Sequence, residues 1–173
     1  MSQPSPELDK LATSLSGVSP DQYGAHYREH VLELYKVYLE MADKISERRE
    51  KANSFFLALN AALIAVLAKD ALGPSSGSAR GVEVIVPVAA IVLCYLWHRI
   101  VRSYRDLNSA KFKVIHGIER LLPLRPYDAE WEMVDRGRNP DLYLPFTHIE
   151  IIVPWVFMCL HAIMTVYAMC RTT

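Results

Sequence analysis

The chain has 173 residues, enough for one domain, of which 51% are hydrophobic and 22% charged. Its nineteen Lys and Arg balance nineteen Asp and Glu, which leaves no basic or acidic excess to hold a nucleic acid. Three cysteines, Cys94, Cys159 and Cys170, fall in or at the end of apolar runs, with neither metal-ligand spacing nor a disulfide framework, and read as small apolar fillers.

Residues 1–25 are rich in Ser and Pro and carry too little apolar surface to offset the entropy of ordering, so they are expected to be a disordered tail. From His26 the pattern changes. Tyr27, Val31, Leu34, Tyr38, Met41 and Ile45 recur at steps of three and four, the spacing of one helix face, with Glu, Lys and Arg between them. No Pro or Gly interrupts residues 25–72, so one helix is expected to run through Arg48, Arg49 and Lys51 into an apolar segment. At 1.5 Å per residue it would measure roughly 65 Å, about half of it beyond the hydrocarbon.

Three segments, 53–72, 82–98 and 149–170, are almost free of charge and close to the roughly 20 residues that cross a bilayer. A chain of this size has no core able to hide all three. The fold class expected is all-α: an integral membrane protein with three transmembrane helices. The helical regions 26–52 and 99–148 lie outside the bilayer, and the first two long helices continue there as an antiparallel cytoplasmic stalk. The second long helix is expected to run from Val82 to the stop at Pro123-Leu-Arg-Pro126, with Asp128 capping a short helix through Trp131 and Met133. Thr147 and Glu150 have capping-box spacing ahead of the third apolar run.

Cation placement sets the orientation. Seven Lys/Arg lie in 1–51 and nine in 98–148, sixteen of the nineteen, against one each at Lys69, Arg80 and Arg171. The positive-inside bias puts the N-terminus and the long second link in the cytoplasm and the C-terminus outside. With fifty polar residues ahead of it, the first apolar run is expected to act as an uncleaved anchor. Phe55, Phe56, Tyr95, Trp97, Tyr143, Phe146, Trp155 and Tyr167 flank the runs as an interfacial belt.

Polar residues inside the spans are the candidate site, because they are costly there. Glu150, His161 and Thr165 fall on one stripe of the third helix, and Glu83, Pro87, Cys94 and His98 on one of the second. Asn60 shares a face of the first helix with Asn53, and Ala58, Ala61, Ala62 and Ala65 form a small-residue face suited to close helix packing. His161, near the midplane, is open to two readings: helix glue, hydrogen-bonded to a group such as Asn60, or part of an ion or proton path. The hexapeptides Val82-Glu-Val-Ile-Val-Pro87 and Ile149-Glu-Ile-Ile-Val-Pro154 match as two helix starts rather than as an internal repeat.

His26-Tyr-Arg-Glu29-His30 has the spacing of an inverted zinc-protease motif, but no third ligand accompanies it. No nucleophile elbow or phosphate loop is present, and no catalytic residue, metal or cofactor is expected.

The residues Tyr35-x-x-Tyr38, Glu47-Arg-Arg, Trp97-His-Arg-Ile-Val-Arg-Ser-Tyr104-Arg-Asp-Leu-Asn108, Ile115-x-x-Ile-Glu119, Glu130-Trp131 and Thr147-x-x-Glu150-x-x-x-Pro154 carry a resemblance. Together they resemble small bacterial membrane proteins of the RipA type over most of residues 27–167. That resemblance implies a homo-oligomer of about eight copies in the bacterial cytoplasmic membrane, with no catalytic residues to carry over. The architecture is more loosely similar to SLATT-type two-helix membrane effectors of bacterial defence, from which the third apolar run departs. Two functions follow. One is a ring that alters the membrane, channel-like or as an effector in stress or defence. The other is a non-conducting scaffold whose stalk recruits an unidentified cytoplasmic partner.

Overall fold

A computed structural model describes residue 15 and residues 17–72, 82–143 and 146–172, without the side chains of 70–72, 82, 146–148, 171 and 172. Most of the tail, the 73–81 link with Arg80, and the Thr147 side chain of the expected capping box lie outside the described residues. Every regular element among the described residues is helical: α1 Pro20–Tyr23, α2 Tyr27–Leu72, α3 Val82–Glu119, α4 Pro126–Met133 and α5 Phe146–Thr172, with a 3-10 turn at Asp135–Gly137. Three helices hold stretches long and apolar enough to cross a membrane, within Tyr27–Lys69, Glu83–Glu119 and Ile149–Cys170. α2 is unbroken over 46 residues, as the absence of Pro and Gly requires.

The chain divides into two compact units. The first holds residues up to Ser46 together with Asp106–Leu144, and the second holds Glu47–Arg105 with the C-terminal segment.

In the first unit Tyr35 and Ala42 of α2 form a buried core with Ile115 and Ile118 of α3, and Val31, Tyr38, Leu39 and Phe112 pack around it. Contacts run in opposite order along the two helices. Tyr35 meets Glu119, while the Lys111 ammonium sits 5.0 Å over the Tyr38 ring. The segments are therefore antiparallel.

Two boundaries differ from expectation. α3 ends at Glu119, ahead of Pro123, because Leu121 and Leu122 bond back to Ile118 and Glu119 in tight three-residue turns. The start of α4 is not capped by Asp128, and Arg125 at the cap position makes no side-chain bond. Instead the Glu119 carboxylate accepts the Tyr127 N–H (3.0 Å) and the Asp128 N–H (3.0 Å). Two orphan donors of the first turn are thus satisfied from another helix. Asp128 turns its own carboxylate to Arg125 and Arg136.

After α4 the backbone is left-handed at Asp135, Arg136 and Gly137. At Gly137 a Cβ would lie 3.1 Å from Cη2 of Trp131, so the turn passes flush against that indole. Within the expected tail, residues 20–23 form one helical turn, held by reciprocal bonds between Ser19 and Gln22.

In the second unit one stripe of α3 is buried: Pro87, Ala90, Cys94, Trp97 and Val101, at three- and four-residue steps. Asn60 and Leu67 of α2 and Pro154, His161, Thr165 and Ala168 of α5 are buried as well. Large apolar side chains on all three helices are exposed, among them Phe55, Val66, Ile85, Val92, Ile152, Ile163 and Val166. Shielded polar groups beneath an apolar exterior are the pattern of a surface solvated by lipid.

Candidate functional site in the membrane unit

The buried polar groups of this unit meet where the three long helices come together. Asn60 on α2 is fully shielded. Its amide Nδ2 donates to the Phe56 carbonyl one turn back at 2.8 Å, which aims Oδ1 away from its own backbone. Oδ1 receives the Cys94 thiol of α3 at 3.1 Å and lies 3.1 Å from His161 Nε2 of α5. One amide oxygen thus joins all three helices.

The donor inventory fixes the tautomer. An oxygen only accepts, so His161 must carry its proton on Nε2. Nδ1 is then a bare acceptor, buried and without a partner. Protonating it would put a charge and an unmet donor in an apolar interior, so the arrangement suits the neutral ring. Thr165, one turn beyond, donates to the His161 carbonyl of its own helix at 2.8 Å.

Below this junction a second layer crosses the same helices. Trp97 Nε1 donates to Asn53 Oδ1 at 2.8 Å. Its ring stacks on Phe56 (5.8 Å, 11°) and leans on Phe157 (6.0 Å). Trp97 is 2% exposed, so it is a core residue and no member of an interfacial belt. Sequence spacing carried a trace of this, since Trp97 follows Ala90 and Cys94 at helical steps. Arg49 Nε of α2 lies 3.3 Å from Glu150 Oε2 of α5, both side chains about four-fifths buried. The two atoms are close enough for ionic attraction but are not aligned as a hydrogen bond.

The residues singled out from sequence therefore separate. Asn60 and His161 meet, with Cys94 as third member. Thr165 serves its own helix and Glu150 faces Arg49. His98 sets its ring against the Trp155 edge (5.4 Å, 67°) with Nδ1 buried and unpartnered. Glu83 is half-buried in the first turn of α3. Ala58, Ala61, Ala62 and Ala65 are exposed.

Outside this unit, His26 pairs with Glu29 (3.1 Å) and His30 with the Tyr23 hydroxyl (2.7 Å), all on the surface. Among the described residues no three His, Cys, Asp or Glu side chains gather as a metal site.

The junction can lock three helices together through one shared acceptor; it holds no nucleophile paired with a base. No curated protein and no solved structure matches the chain. Residues 32–170 match the model of the Octameric membrane protein family (8xMP), and with that match covering most of its length the chain belongs to this family.

Proposed function

We propose that this chain is a non-enzymatic subunit of a homo-octameric ring in the bacterial cytoplasmic membrane, and that the ring works as a scaffold. The observation carrying this reading is the burial of Asn60 and His161 at 0% exposure within a single protomer. Groups spent on holding one protomer together are not free to line a shared aqueous lumen. The faces left for neighbours and lipid are apolar, including the Ala58-Ala61-Ala62-Ala65 surface that permits close approach of another helix. The first unit, with its antiparallel helix pair, is the part that stands in the cytoplasm as a stalk and meets a soluble partner. The cation distribution supports that orientation, with the C-terminus outside.

A conducting ring, acting as a membrane-perturbing effector in stress or defence, is the second reading. One observation favours it: the bare Nδ1 of His161 is a buried acceptor that a water molecule would satisfy. Ion flux through vesicles reconstituted with the purified protein separates the two. The scaffold predicts flux no greater than empty vesicles from pH 5 to 8. A leak that His161→Leu changes, with the oligomer intact, overturns it. Orientation is tested by labelling Met133→Cys and Ser76→Cys in sealed vesicles, in a C159S/C170S background. The two positions must react from opposite sides.

A further inference from the structure

A closed ring needs two different complementary surfaces on every protomer, because each copy meets its neighbours head to tail. The first unit carries two such surfaces, open except where the Lys111 ammonium reaches Met41 Sδ (3.8 Å). One is convex. Leu34, Val37 and Met41 of α2 are 55%, 47% and 44% exposed. At roughly 100° per residue they fall within about 60° of one another, beside the core-facing Tyr35, Tyr38 and Ala42. The apolar arc of α2 thus spans about 160°, wider than the roughly 100° stripe that one packed face uses. The core covers only part of it.

The other surface is concave. A cavity of about 500 Å³ opens between α3 and α4, walled by Phe112, Trp131 and Tyr143. It is preformed. Trp131 is held between Gly137 and the Tyr143 edge (6.3 Å, 82°), and Phe112 leans on Tyr127 at 6.0 Å. Rigid aromatic hollows are where aliphatic anchors from a partner helix concentrate binding energy. The Asn108 side-chain oxygen, also on the cavity wall, is buried without a donor, which costs stability unless something from outside supplies one.

We propose that the Leu34-Val37-Met41 ridge of one protomer seats in the α3–α4 groove of the next, and that this contact, repeated around the ring, closes the octamer. The proposal rests on the ring reading above and names the surfaces that make it. Charge complements shape. Lys113 and Glu130 on the groove walls meet opposite partners in the Glu33–Lys36 and Glu40–Lys44 pairs that flank the ridge.

The test uses full-length protein in detergent with Cys159→Ser and Cys170→Ser, leaving only the buried Cys94. Val37→Cys and Ser109→Cys are made as separate chains: Val37 is 47% exposed, and Ser109 is a small exposed residue on the groove, so the change leaves its aromatic walls in place. They are expressed alone or together and treated with a short bis-maleimide, while native mass spectrometry counts protomers. The expected result is a cross-linked dimer, at least tenfold more abundant, only when the two chains are co-expressed. Equal cross-linking of either chain alone means a two-fold symmetric contact and overturns the proposal. No cross-link in an assembly of eight overturns the ridge and groove but leaves the ring standing. A mass of one protomer removes both.

Discussion

The Tyr35 hydroxyl donates to Glu119 across 2.8 Å, joining residues 84 positions apart at a carboxylate with no solvent exposure. The same carboxylate accepts both backbone donors at the start of α4. Among the described residues, Glu119 thus ties α2, α3 and α4 together through three hydrogen-bond donors. A buried carboxylate is costly, but three hydrogen bonds and a helix N-terminus offset much of that.

Replacing Glu119 with Ala leaves three donors unmet. The expected loss is about 3 kcal/mol, against about 1–2 kcal/mol for Tyr35→Phe, which removes a single donor. Hydrogen–deuterium exchange should show residues 106–143 losing protection in Glu119→Ala while peptides from 82–105 stay as slow as in the parent. Uniform loosening of both regions would mean that Glu119 is no local keystone.

Tyr35 also gives the first unit an alkaline limit. Burial raises its pKa above the ordinary 10.0, and the Glu119 hydrogen bond and negative charge push the same way. A raised pKa means the folded state holds the proton more tightly. The stabilisation is complete below pH 10 and is lost as pH climbs from there through the higher folded value. Tyrosinate absorbance should show one of the nine tyrosines resisting ionisation until the unit unfolds. In Tyr35→Phe that late step should vanish. A parent protein whose tyrosines all titrate together near pH 10 contradicts this.

How much of this was legible in the sequence depends on the reach of each interaction. The three spans and the unbroken α2 follow from composition and from the absence of breakers, which act within a few residues. His161 stands out for the same reason, as a polar side chain in an apolar run. Glu119 does not, because in Ile118-Glu-Arg120 it resembles any solvated acid of a helix surface. Its burial is decided by Tyr35 and by the turn at Leu121–Leu122, both invisible to local periodicity. Asp128 is the mirror case: its residue type and position suit a cap, yet Glu119 reaches the donors first. Trp97 misleads because indole rings are common both at membrane interfaces and in cores, and only Asn53 opposite decides between them.

Asn60 and His161 should prove energetically coupled. Asn60→Ala deprives two donors, Cys94 and His161, of their shared acceptor, whereas His161→Ala leaves Oδ1 still bonded to the thiol. Intramembrane hydrogen bonds are modest, on the order of 0.6 to 1.7 kcal/mol. The double-mutant cycle, read from unfolding in mixed micelles, should give a coupling of about 1 kcal/mol, with Asn60→Ala the more damaging single change. Strict additivity would mean that the 3.1 Å contact carries no energy.

The Arg49–Glu150 pair gives a test that separates charge from shape. Both side chains are mostly shielded, so removing one partner leaves a poorly solvated charge on the other, a loss of about 3 kcal/mol. Glu150→Ala and Arg49→Ala should each destabilise the membrane unit by roughly that amount. The double substitution should cost less than either, because no orphan charge remains. Exchanging the residues, Arg49→Glu with Glu150→Arg, restores the attraction. It also moves a cation toward the N-terminal end of α5, against the helix dipole. The exchange should therefore rescue only in part, with melting between the parent and the single variants. If Glu150→Ala melts like the parent, the 3.3 Å approach contributes nothing to stability.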